Sequence, residues 1–184
     1  MYDLFNNANK LSFLRIILSI LFSIGLCDLY INNNKISIIL LILFIIISLT
    51  DIFDGKIARK NNLTSSFGSK LDVIADITFV LLSYIVLVYV NKIPSWFLIL
   101  TIIVFSEFIL TSSILANNKD KSLIFDKIGK YFGVICMAIP GMVLFSNIIN
   151  CNYIVNIIII ITSIMGIISF ISRLVKCYKI KKLD

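Results

Sequence analysis

The sequence predicts an all-α integral membrane protein with six transmembrane helices and a short N-terminal interfacial helix. Three observations carry that expectation. Hydrophobic residues make up 59% of the 184-residue chain and its mean hydropathy is +1.03, against roughly 45–50% apolar residues in soluble domains. Apolar runs long enough to cross about 30 Å of hydrocarbon recur along the chain. Those runs are continuous Ile, Leu, Phe and Val without two-residue alternation, which selects helices over a closed barrel as the way to satisfy the backbone in lipid.

Met1–Asn9 is read as the interfacial helix, lying along the bilayer through Leu4 and Phe5. The first span is Leu11–Ile31, and Asn32–Lys35 is a polar turn. The second span runs from Ile36 to Asp54, its helix continuing to Arg59 or Lys60. Asn61–Ser66 is a polar loop whose Ser65 or Ser66 can cap the third span, Gly68–Val90. Pro94 suits the first turn of the fourth span, where a missing N–H costs little, and that span reaches Ala116. After the loop Asn117–Lys121 come a fifth span, Ile128–Phe145, bent at Pro140-Gly141, and a sixth, Tyr153–Ile171. Arg173–Asp184 is a basic tail. Residues 1–184 form one domain with no internal repeat, and no basic region precedes a cleavable apolar core, so no signal peptide is expected.

Charge sets the orientation. Fifteen of the seventeen basic residues fall on one side of such a bundle, and only Lys35 and Lys92 fall on the other. Short loops with that bias place both termini, and the loop between spans two and three, in the cytoplasm of a multi-pass cell-membrane protein. The formal charge of +7 is therefore distributed by membrane side, which argues against a nucleic-acid surface. The chain has no histidine, so histidine-based acid–base chemistry and histidine-ligated zinc are excluded. Its four cysteines are isolated and fit buried thiols better than a metal or redox pair.

Four of the ten acidic residues lie in the stretch Asp51-x2-Asp54-Gly55-x2-Ala58-Arg59-x8-Gly68-x3-Asp72-x3-Asp76, at the inner ends of two very apolar segments. A charge at the centre of a membrane helix costs roughly 2.5–3.5 kcal/mol on insertion scales. Asp51 and Asp54 are three apart and share a helix face; Gly68, Asp72 and Asp76 are four apart and form a stripe on the next helix. Antiparallel helices joined by a short loop bring both stripes to one depth, where the carboxylates repel and need compensation. Few cations lie nearby in sequence, so Mg²⁺ or Mn²⁺, in two ions, is the expected partner of these hard oxygen ligands. Gly55, Ala58 and Gly68 are small where the helices converge and leave room for a ligand, and Arg59 can pair with an acid or a phosphate. A charged rim at a helix end would explain one of these aspartates but not four converging ones. A metal-coupled transporter is the other functional class that such a cluster admits.

The run Asp51-Ile-Phe-Asp54-Gly55-Lys-Ile-Ala58-Arg59, followed by Gly68-Ser-Lys-Leu-Asp72-Val-Ile-Ala-Asp76, resembles at every fixed position the motif of the CDP-alcohol phosphatidyltransferase family. The resemblance implies a membrane enzyme, usually a homodimer, that cleaves a CDP-linked substrate and transfers its phosphoalcohol part to an acceptor hydroxyl with release of CMP. It implies that Asp51, Asp54 and Asp72 ligate a first metal ion, and that Asp76 joins a second site and acts as general base. Gly55, Ala58 and Gly68 would form the cytidine and diphosphate pocket, with Arg59 on phosphate or bracing the carboxylates. The donor would be CDP-diacylglycerol, its tails in the bilayer lipid.

The resemblance implies a small alcohol as the acceptor. The opening Asn6-Asn-Ala-Asn9-Lys-Leu11-Ser12-Phe-Leu-Arg15 and the pair Gly129-Lys130 resemble phosphatidylglycerophosphate synthases, whose acceptor is glycerol 3-phosphate. Lys130, with Lys127 nearby, would meet the acceptor phosphate, although both lysines also satisfy the charge bias alone. Val73-Ile74, Ile77, Ser106 and Phe132 depart from that subgroup's pattern and keep serine, inositol phosphate and phosphatidylglycerol open as acceptors. Glu107, inside the fourth span, is read either as an acceptor-pocket residue or as a structural ion-pair partner.

Overall fold

The computed structural model describes residues 7–32, 36–60, 66–115, 127–149 and 152–181. Its described elements are six helices: α1 Asn7–Ile31, α2 Ser37–Lys60, α3 Ser66–Tyr89, α4 Ser95–Leu115, α5 Lys127–Ile149 and α6 Asn152–Lys181. Residues 1–6 of the expected interfacial helix lie outside the described residues, while Asn7, Ala8 and Asn9 already belong to α1. Among the described residues, five helices are long and apolar enough to cross a membrane; in α2 the apolar part, Ser37–Asp51, is shorter. The remainder of α2 carries the charged motif and stays helical to Lys60, as expected.

Two bundles share one interior. α1 packs on α2 and α3, α6 packs on α4 and α5, and contacts of α3 with α4 and α5 and of α2 with α5 join the halves. Phe22, Phe44 and Phe79 meet at centroid distances of 5.4 to 6.3 Å and lock α1, α2 and α3 together. Phe105 meets Phe132 edge-on between α4 and α5. Gly141 lets α5 approach Phe44 so closely that any Cβ there would collide with the ring. On the outside, Ile154, Ile157, Ile160, Ile161, Ile164, Ile168 and Ile171 of α6 form an exposed apolar stripe at helical spacing. In water that stripe would be an aggregation surface; in a bilayer it is the ordinary lipid face.

The expected proline in α5 does not interrupt the helix. Pro140 cannot supply the N–H that Cys136, four residues earlier, would otherwise accept. The buried Tyr84 hydroxyl of α3 donates to that carbonyl at 3.0 Å instead. Between α3 and α4 the chain turns through Asn91, whose φ of 56° is left-handed. Asn91 N–H donates to Val88 and Lys92 N–H to Leu87, capping α3 in the manner usually built around glycine.

The sixth helix corrects the sequence reading. It runs on to Lys181, so Arg173 belongs to a helix and not to a basic tail. Thirty residues rise about 45 Å, more than the hydrocarbon thickness, and no Pro or Gly after Gly166 stops the helix. Arg173 is 1% exposed.

Candidate active site

α2 and α3 bring Asp51, Asp72 and Asp76 together, with one oxygen from each within 4.8 Å of the others. The spacing explains this. Asp72 and Asp76 stand one turn apart on α3, and Asp51 lies where α2 leaves its apolar stretch. All three side chains are partly exposed, which leaves the cluster open on one side.

A cation from another helix completes the cluster. Arg15 of α1 is fully buried, and its Nη1 donates to Asp76 Oδ1 at 2.6 Å and to Asp72 Oδ1 at 2.8 Å. The same nitrogen lies 3.3 Å from Asp51 Oδ1. The expectation that few cations are at hand is thus corrected: the missing one comes from 57 residues upstream of Asp72. A signal existed in the sequence. Ser12, Arg15, Ser19 and Ser23 recur every three or four residues and form a buried polar stripe in an otherwise apolar span.

The donor set fits a divalent cation of the Mg²⁺ or Mn²⁺ kind: hard carboxylate oxygens, converging, with room for water or phosphate oxygens on the open side. The backbone of residues 51–60 is helical, so Asp54 follows Asp51 by one turn. The side chains of Asp54, Gly55, Ala58 and Arg59 lie outside those described. Gly68 lies one turn before Asp72 on α3, completing the predicted stripe.

Beside the cluster is a cavity of about 230 Å³ whose polar lining is Asp51, Asp76, Glu107, Lys130, Ser169 and Arg173. Its apolar wall includes Val104, Phe108, Phe132 and Met137. Lys130 lines the cavity; Lys127, exposed at the start of α5, is not among the lining residues. Phe132, noted as a departure, is buried in the wall.

Arg173, which the sequence places after the sixth span, also lines this cavity. Its Nε donates to Thr111 Oγ1 at 2.8 Å, and its Nη2 donates to Ser112 Oγ at 2.9 Å and to the Phe108 carbonyl at 3.2 Å. The Phe108 ring lies 4.7 Å from its Cζ. Glu107 Oε2 is 3.6 Å from Nε, so Glu107 pairs with an arginine while also lining the cavity. The guanidinium is gripped along one edge by α4 and presented to the cavity from α6. Acidic and basic side chains thus line one cavity.

Comparison with known proteins agrees with the motif. A family model described as CDP-alcohol phosphatidyltransferase matches residues 5–169. A 29-residue segment is 69% identical to the CDP-diacylglycerol--glycerol-3-phosphate 3-phosphatidyltransferase of Rickettsia bellii (strain RML369-C), covering 16% of each chain.

Proposed function

Because the chain belongs to the CDP-alcohol phosphatidyltransferase family, a family of transferases, we propose that it moves the phosphatidyl group of CDP-diacylglycerol to the hydroxyl of glycerol 3-phosphate, forming phosphatidylglycerophosphate and releasing CMP. The observation that carries the choice of acceptor is the mixed lining of the cavity. Asp51 and Asp76 share it with Lys130 and with Arg173, whose guanidinium also pairs with Glu107. A cavity of about 150 Å³ accommodates benzene, so one of about 230 Å³ has room for a short phosphorylated polyol. The short relative supports the same acceptor, since its name specifies glycerol 3-phosphate.

Asp51, Asp54, Asp72 and Asp76 would hold the divalent ions. When bound, these supply positive charge against the diphosphate and the phosphorus under attack. The protein's own groups do the rest. Lys130 and Arg173 hold the acceptor phosphate, which keeps the free hydroxyl near the carboxylates. The Asp76 carboxylate accepts the hydroxyl proton. A new bond forms between that oxygen and the lipid-side phosphorus, and the bond from this phosphorus to the CMP oxygen breaks. Positioning and charge compensation provide most of the acceleration in such phosphoryl chemistry. The positive-inside bias supports a cytoplasmic site, where soluble acceptor and product nucleotide can diffuse.

The test is a parallel incubation of purified protein and CDP-diacylglycerol with glycerol 3-phosphate, serine, inositol phosphate and phosphatidylglycerol. Phosphatidylglycerophosphate is the expected dominant product. A dominant product from any other acceptor rejects this assignment.

A further inference from the structure

Arg15 Nη1 touches the three carboxylates that converge within 4.8 Å of one another. Its side chain is 0% exposed, so it is built into the cluster and does not drift over it from solvent. A nitrogen at hydrogen-bond distance from two of these oxygens and close to the third competes with a divalent ion for one volume. Both also compete for the same negative charge.

We propose that Arg15 is a resident competitor of the metal: it gathers Asp51, Asp72 and Asp76 as a substitute cation and yields their oxygens when the divalent ion enters. This rests on the reading that those carboxylates hold such an ion. Two consequences follow. The helices α1, α2 and α3 stay assembled without metal, because the guanidinium offsets part of the repulsion among the three carboxylates. The same guanidinium lowers the affinity for metal, since the incoming ion must displace a hydrogen-bonded charge and meets its repulsion. Released from the carboxylates, the planar guanidinium matches phosphate oxygens, so a nucleotide diphosphate at the site would favour the exchange.

Detergent-solubilised full-length protein titrated with Mn²⁺, with free Mn²⁺ followed by its paramagnetic resonance, tests the proposal. Arg15→Gln is expected to bind Mn²⁺ at least about tenfold more tightly than the unsubstituted protein, because a nearby positive charge is gone. Arg15→Lys keeps the charge and is expected to bind more like the unsubstituted protein than Arg15→Gln does. A merely structural arginine predicts the opposite direction, since disordering the cluster weakens binding. Unchanged or weaker binding by Arg15→Gln, with Mn²⁺ still bound by the unsubstituted protein, overturns the proposal and leaves the metal reading standing. If neither protein binds Mn²⁺, both fall. Should Arg15→Gln fold only with metal, it is purified in Mn²⁺ and then treated with chelator. Unfolding of the variant alone supports the exchange, and equal behaviour of the two proteins rejects it.

Discussion

Arg173 of α6 and Glu107 of α4 face each other across 3.6 Å in the interior of the bundle, beside the cavity that also holds Asp76. Thr111, Ser112 and the Phe108 carbonyl also fix the arginine. An anionic acceptor can therefore engage a guanidinium that does not need to reorganise. Removing the charge with Arg173→Gln is expected to raise KM for glycerol 3-phosphate by roughly 10- to 100-fold, the worth of a charged hydrogen bond. KM for CDP-diacylglycerol should change little. Steady-state kinetics with each substrate varied in turn checks this, and an equal rise in both constants contradicts an acceptor role.

Asp76 is the carboxylate assigned to the proton. Asp76→Asn keeps the shape and removes the base, and kcat is expected to fall by at least about 10²-fold, the lower end of general-base contributions. Measured CMP formation under saturating substrates is the check. Activity within a few-fold of the unsubstituted enzyme removes Asp76 from that role.

Tyr84 offers a prediction about stability apart from chemistry. Its hydroxyl serves the Cys136 carbonyl that Pro140 leaves without a helical donor. Tyr84→Phe strands a buried acceptor and is expected to cost about 1–3 kcal/mol. In a Pro140→Ala background the restored N–H can reach the same carbonyl, and the loss should shrink. Unfolding in detergent of both single variants and the double measures the coupling. Equal costs of Tyr84→Phe in the two backgrounds would show that the proline is not the reason for the bond.

The order of six helices and the stripe Gly68, Asp72, Asp76 were legible because both follow from one-dimensional spacing along apolar segments. What escaped was the contribution of distant helices. Arg15 and Arg173 were counted as markers of membrane side, yet each is buried and points inward. A charge near a span's end satisfies the loop-charge rule and an interior site equally well, and only packing decides between them. The continuation of α6 past Ile171 shows the same ambiguity, since charged residues there favour water without breaking a helix. Polar neighbours one turn away, Ser12 and Ser19 for Arg15 and Ser169 for Arg173, were the available discriminators.

The most direct test of the acid cluster as a metal-dependent transfer site is CMP release from CDP-diacylglycerol by purified protein. It is measured with and without glycerol 3-phosphate, in chelator and after adding back Mg²⁺ or Mn²⁺. Release is expected only when acceptor and divalent ion are both present, and Asp72→Asn should abolish it under the same conditions. Release that persists in chelator, or that survives Asp72→Asn undiminished, would contradict the assignment.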